Sequence, residues 1–353
     1  MDSQVMAFLK EAGPVLCLDI GSGTQDVLLA RPGLEPENWT QLVLPSPAKA
    51  VARRVEALTA AGKDIWLYGE NMGGGFTRAL LRHKEAGLRV SVTLAASRAI
   101  HDSEARVEAF GFELREACPP RAVPVHLTEY APAWWEGLWR QLGLPQPHVV
   151  YAAAQDHGCS PQDNRRLRMQ RWRALLALSP HPADWLYDGA LPEELTRLAT
   201  LHRATGGPVA DTATAALLGF LCAPEVRTRA ARQGVTLVNV GNGHSTAALL
   251  YRDEVHGIFE HHTGMRTQEE YLADLKEFRL SWLPDEQVRT TGGHGTAFGA
   301  FSEEAGGYVP TYLLGPRRAL LAGQGQNIAP CGNMMLAGCY GLLHGAAERF
   351  FRD

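Results

Sequence analysis

The sequence predicts an α/β protein built as two duplicated halves, on three observations. A strand–glycine turn–strand pattern occurs twice, at residues 15–30 and 235–250. Short apolar strands alternate with helical patterns through the first half. At 353 residues the chain exceeds the size at which a single core keeps growing. These observations place one domain over residues 1–205 and a second over residues 206–353.

The first pattern begins at Val15-Leu-Cys-Leu-Asp-Ile-Gly-Ser-Gly-Thr24, an apolar strand running into an acidic glycine turn. An aspartate at the end of a buried strand can hold a hydrated cation. Glycines beside it let backbone N–H groups approach anionic oxygens with no Cβ in the way. Asp19 is therefore the candidate Mg²⁺ organiser, with Gly21, Ser22, Gly23 and Thr24 as candidate phosphate contacts. The next segment, Gln25-Asp-Val-Leu-Leu-Ala30, is strand-like again, so the turn joins two antiparallel strands. A Walker A loop needs Gly-Lys-Ser/Thr before a helix, and a dinucleotide fingerprint needs its third glycine in one; both are excluded here. An ordinary glycine hairpin is the plain alternative.

Strands follow at Ile65-Trp-Leu-Tyr68 and Val90-Ser-Val-Thr-Leu94, with a helix over 77–86 between them. After a proline-rich interval at 119–124 come a Trp-rich helix over 133–142 and the strand Val149-Val-Tyr-Ala-Ala-Ala154. That strand ends in Gln155-Asp-His-Gly158, where α/β proteins place ligand-binding groups, so Asp156 is a candidate base and His157 a candidate substrate contact. A turn-capping role for Asp156 is the alternative. Five arginines in nine residues, Arg165 to Arg173, read as the solvated face of a helix. Helices are expected over 195–202 and 209–221, with Asp211 near the positive end of the second. The second hairpin contains Asn239-Val-Gly-Asn-Gly-His244, making Gly241, Asn242, Gly243 and His244 candidate phosphate contacts. Thr290-Thr-Gly-Gly-His-Gly-Thr296 is either a ligand loop or a plain connection. Near the end, residues 318–326 read as a strand into a third glycine turn, and 334–347 as an apolar closing helix with Met334 and Met335 in the core.

Hydrophobic residues make up 45% of the chain and charged ones 20%, with a formal net charge of −4. This is the profile of a globular protein with no global basic field for nucleic acid. No apolar run reaches the roughly 18 residues of a membrane span, and the N-terminus lacks the pattern of a signal peptide, so a cytoplasmic protein is expected. The six cysteines are scattered, with no C-x-x-C pair, which suits reduced thiols and disfavours a zinc ribbon. His157, His244, His261, His262 and His294 each lie in or beside a glycine turn or polar loop. With Asp156 or Glu260 they have the chemistry to bind zinc or iron. Their long spacings and the lack of an H-x-x-x-H pair instead favour His157, His261, His262 and His294 as substrate contacts.

In order and content these segments resemble the actin, hexokinase and Hsp70-like ATPase superfamily. There, a first phosphate loop opens domain one, a second opens domain two, and a glycine-rich adenosine segment follows. Asp19-Ile-Gly-Ser-Gly-Thr24, Asn239-Val-Gly-Asn-Gly-His244 and Ala322-Gly-Gln-Gly325 fall in that sequence. The resemblance implies a two-domain actin-like ATPase (ribonuclease H-like) fold with duplicated mixed sheets and an interdomain cleft. It further implies ATP and Mg²⁺ as cofactors, with Gly323 and Gly325 near the adenosine. Ala210-Asp-Thr-Ala-Thr-Ala-Ala-Leu-Leu-Gly219 looks like the helix of sugar and polyol kinases that carries the catalytic aspartate, which would make Asp211 the base. The implied activity is phosphoryl transfer to a small-molecule substrate, or an ATPase acting as activator or chaperone of a partner enzyme; a metal-dependent enzyme that uses the histidine-rich cleft without ATP is the alternative of a different class. Asn239 departs from the aspartate common at that position, so the second loop adds no charge to a cation. Gln155-Asp-His-Gly158, Glu260-His-His-Thr-Gly264 and Gly332-Asn-Met-Met-Leu-Ala-Gly338 look like a family within the superfamily labelled pyruvate formate-lyase activating enzyme-like. The cysteine cluster that such radical chemistry requires is missing from the sequence.

Overall fold

The computed structural model describes residues 3–351. Strands β1 (Val15–Ile20), β2 (Thr24–Ala30) and β3 (Thr40–Pro45) form an antiparallel meander. Between β3 and the next strand of that sheet, the chain builds a separate parallel sheet from β4 (Ile65–Gly69), β5 (Val90–Val92), β6 (Glu113–Leu114) and β7 (Val123–Leu127). It then returns with β8 (Val149–Ala154) and β9 (Val209–Ala210), both parallel to β1, giving the order β3-β2-β1-β8-β9.

The second half repeats the plan. Strands β10 (Val235–Val240), β11 (His244–Tyr251) and β12 (Glu254–His262) form the meander, β13 (Gly295–Phe298) extends it, and β14 (Thr311–Leu314) and β15 (Gln326–Asn327) run parallel to β10. Without β13 the order is again third, second, first, fourth, fifth. Two such sheets in one chain are the duplicated ribonuclease H-like arrangement of the actin-like ATPase fold.

The two hairpins match in detail. Gly21 N–H donates to the Thr24 carbonyl at 2.9 Å, and Gly241 N–H to the His244 carbonyl at 2.9 Å. Asp19 pairs with Asp26 across the first hairpin, as Asn239 pairs with Thr246 across the second. The buried strands follow from near-continuous apolar runs, as expected where both faces of a sheet are covered.

Two buried helices, Thr212–Leu221 and Ala337–Phe350, pack against each other at the centre of the molecule. Glycines make the close crossing possible: a Cβ at Gly219 would run into the Ala337 carbonyl, and one at Gly341 into the Ala215 carbonyl. The inserted β4–β7 unit has its own core around Phe76, Leu80, Val55 and Leu67, and was not foreseen from the sequence. The division expected at residue 205/206 is crossed twice. β9 completes the first sheet from beyond it, and the helix Ala337–Phe350 packs on β1 and on the helix Ser3–Ala12.

Three local expectations are corrected. Residues 318–321 form a 3₁₀ turn rather than a strand, and only Gln326–Asn327 joins the sheet. Met334 and Met335 are half-buried and line a cleft, although Met334 also touches the core. The arginine-rich run does lie on a helix, Asn164–Leu178, but Arg168 within it is buried. Among the described residues, no helix is long and apolar enough to cross a membrane.

The glycine crossing yields a stability prediction. Gly341→Val forces a branched side chain against backbone at the centre of the core, at a cost of about 3 kcal/mol. Urea unfolding checks this, and an unchanged midpoint would show that the helices have room to separate.

Candidate functional site

A cleft of about 870 Å³ lies between the two sheets and is bounded on a third side by loops of the inserted unit. Both glycine hairpins face it, and their tips meet. A Cβ at Gly23 would lie 2.6 Å from Asn242 Nδ2, and one at Gly243 would lie 3.0 Å from Ser22 Oγ. These two glycines have ordinary negative φ angles, so the requirement is for close approach rather than an unusual backbone.

The Asp19 carboxylate stands on the cleft wall, and no side-chain hydrogen bond or ion pair engages it among the described residues. There is no room for a Cβ at Gly338, which packs on the Asp19 carboxylate at the start of the helix Ala337–Phe350. Burial, then the charges of Asp26 and Asp211, push the Asp19 carboxyl well above the usual range. Burial likewise lifts Asp26 to about 7, and its Oδ1 is buried without a partner. A cationic ligand would relieve both groups, so the donor set fits a hydrated Mg²⁺.

The two candidate bases are engaged elsewhere. Asp211 caps the helix Thr212–Leu221 by accepting from Ala213 N–H at 2.9 Å, and it accepts Asp156 N–H at 3.1 Å. Both its oxygens also accept from Arg168, at 2.9 and 3.0 Å. Asp156 accepts the backbone N–H groups of Gly158, Arg197 and Leu198 at 2.9 to 3.0 Å, which ties the end of β8 to the helix Thr196–Thr205. Each Asp211 oxygen accepts two such bonds, whereas Asp156 accepts three in all, two at Oδ2 and one at Oδ1. The capping alternative describes Asp156, and Asp211 acts as a helix cap and ion-pair partner.

Arg168 joins the halves. Beyond Asp211 it donates to Glu260 on β12, from Nε to Oε2 at 2.5 Å and from Nη2 to Oε1 at 2.7 Å, and to the Asp156 carbonyl at 2.8 Å. Trp172 Nε1 also donates to Glu260, at 3.2 Å. This cationic company holds the Glu260 carboxyl far below the usual range despite its burial.

Four of the five candidate histidines converge. Ring centroids of His157 and His294 are 4.6 Å apart, His244 and His294 4.9 Å, and His244 and His262 4.5 Å. Glu260 Oε2 lies 3.3 Å from His294 Nδ1. Burial pushes His244 down to about 3, His262 to about 4 and His157 well below its ordinary value, so these three are neutral imidazoles. His261 does not join them. Alternation along β12 turns it to the other face, with Nε2 3.2 Å from Thr291 Oγ1.

Gly323 and Gly325, expected near an adenosine, are not among the residues that line the cleft. The cleft residue that follows β14 is Gly315, at φ +97°, packed on Val240 and 2.7 Å from Asn239 Oδ1 at the position of a Cβ. An apolar strand running into Gly-Pro was the available signal. The glycine run Gly73–Gly75 and the arginines Arg98, Arg106 and Arg165 also line the cleft. Sequence reasoning missed Gly73–Gly75, Arg98 and Arg106 because the inserted unit was not recognised, and it put Arg165 on the solvated face of a helix. The six cysteines are all free, and among the described residues no group of them gathers as an iron–sulfur cluster would require.

A family model described as "Putative pyruvate format-lyase activating enzyme (DUF1786)" matches residues 72–320. Among solved structures, the chain is similar to MreB5 of Spiroplasma citri bound to ADP, at 10% identity and a TM-score of 0.39, covering 97% of this chain and 100% of that one. It is also similar to an inorganic polyphosphate/ATP-glucomannokinase from Arthrobacter sp. strain KM, at 13% identity, TM-score 0.34 and coverage of 96% and 99%. A Bacteroides thetaiotaomicron protein with an actin-like ATPase fold aligns at 8% identity, TM-score 0.34 and coverage of 97% and 98%. No curated protein matches the sequence.

Two outcomes follow from this geometry. Arg168→Met strands two buried carboxylates and is expected to cost about 3–5 kcal/mol, read as a lowered denaturation midpoint. For Asp26, the folded chain keeps the carboxyl proton up to about pH 7, whereas an exposed aspartate releases it near pH ~4. Between these values the native state binds more protons, so the Asp26 contribution to stability falls as pH rises. In chelator-treated protein, Asp26→Asn should gain on the wild type across that window by up to about 1.4 kcal/mol per pH unit. A difference independent of pH, in denaturant titrations at stepped pH, would contradict a protonated Asp26.

Proposed function

This chain belongs to the DUF1786 family, and from the cleft between its sheets we propose that it binds a nucleotide with Mg²⁺ and transfers the terminal phosphoryl group to a small anionic acceptor. The observation that carries this reading is the meeting of two glycine hairpins, tip to tip, beside the unpartnered carboxylate of Asp19. Backbone N–H groups at Gly21–Gly23 and Gly241–Gly243 can close on phosphate oxygens from opposite sides because no Cβ intervenes. The tips touch across the cleft, so a phosphate enters only when the halves part, and closure then excludes water from it. Mg²⁺ would neutralise charge developing on the phosphates, with Asp19 holding its water shell in the deprotonated form.

Asp211 and Asp156 are committed to backbone amides or to Arg168, so the reading assigns neither as a base. Phosphoryl transfer tolerates this, since positioning and charge stabilisation supply most of the catalysis. Arg98, Arg106 and Arg165, which line the cleft, favour an acceptor carrying a carboxylate or phosphate.

Calorimetry with Mg-ATP tests the proposal. Asp19→Ala is expected to weaken binding at least about tenfold, or 1.4 kcal/mol, and Gly23→Val, which fills the contact with Asn242, to weaken it further. Equal affinity in the wild type and Asp19→Ala would refute the assignment. Phosphate release that needs no acceptor and rises with a partner enzyme would instead support the ATPase alternative.

A further inference from the structure

We propose that His157, His244 and His294 form a binding site for one divalent transition cation of the zinc class, bridging the two halves at the floor of the cleft. Each offers a ring nitrogen, and the three ligand atoms lie within 4.8 Å of one another. The Nε2 atoms of His157 and His244 are buried and have no hydrogen-bond partner. Unpartnered buried nitrogens are costly, and two of them on rings clustered with a third imidazole are accounted for by a ligand the three share.

A second, independent observation is the charge around them. Behind the imidazoles, one guanidinium, Arg168, faces two carboxylates, Asp211 and Glu260. This leaves an excess of negative charge in a buried region, which a cation held by neutral ligands would offset. Glu260 also does for His294 what outer carboxylates do in metal centres. By accepting Nδ1–H at 3.3 Å it fixes the tautomer and presents Nε2 as the ligand. Three imidazoles leave a fourth position open, and His157 and His244 both line the cleft, so that position is accessible to water or a bound anion.

The ligands come from three separate places in the chain. His157 follows β8 in the first half, His244 opens β11 at the second glycine hairpin, and His294 precedes β13. A bound ion would therefore tie the hairpin of one half to the strand end of the other. This site is distinct from that proposed at Asp19 and does not depend on nucleotide binding.

The test uses tag-free full-length protein stripped with a chelator. Titration with Zn²⁺ is expected to give one saturable site per chain and a raised thermal unfolding midpoint, and Co²⁺ to give the visible bands of a low-coordinate centre. His244→Gln and His294→Gln should each lose more than the roughly 10- to 100-fold in affinity that removal of an outer-shell partner costs. His261→Gln, on β12 and turned to the face away from the cluster, should bind as the wild type does. Lack of saturable one-to-one binding by the wild type would overturn the proposal whatever the variants do. So would undiminished affinity in folded His244→Gln and His157→Gln, which would leave the cluster as packed aromatic rings.

Discussion

Arg168 is the residue through which the two halves of this molecule hold each other. Its guanidinium is buried between Asp211, which caps a central helix beside the first sheet, and Glu260, on a strand of the second. It also takes the Asp156 carbonyl at the end of β8. A charge this deeply buried is tolerated only when its donors are well used, and here all three of its nitrogens donate. Much of the cleft floor depends on it. Asp211 and Asp156 are positioned by the same group, and Glu260 passes the constraint on to His294.

Around that hub, the duplicated architecture has diverged in its chemistry. The paired Asp19 and Asp26 of the first hairpin correspond to Asn239 and Thr246 of the second. The acidic half therefore faces a half whose hairpin ends in His244, with His262 at the end of β12 and His294 just before β13. Symmetry of backbone is kept where it matters for approach, in the matched turns and the glycine contacts at their tips. Symmetry of side chains is given up where ligands are handled.

The inserted parallel sheet adds a third wall that neither repeat possesses. Its glycine loop at Gly73–Gly75 and its arginines face the cleft, and Arg197, paired with Glu129, fastens this side to the first half. The two hairpins are thus common to both repeats, whereas the third wall belongs to the insertion.

Local patterns carried much of this into the sequence itself. The strand–glycine turn–strand repeats, the helix over Thr212–Leu221 and the polar end of β8 are legible because hydrophobic periodicity and turn chemistry act over a few residues. The same locality explains the errors. Whether Arg168 is solvated or buried, and whether Asp211 is a base or a cap, depends on partners 43 to 92 residues away that no spacing rule connects. The histidines were visible singly, but strand alternation and sheet order decided that four converge and His261 turns away. Short-range stereochemistry was written in the chain; the cleft, its charge balance and its imidazole cluster exist only because long-range packing brings distant side chains out of water together.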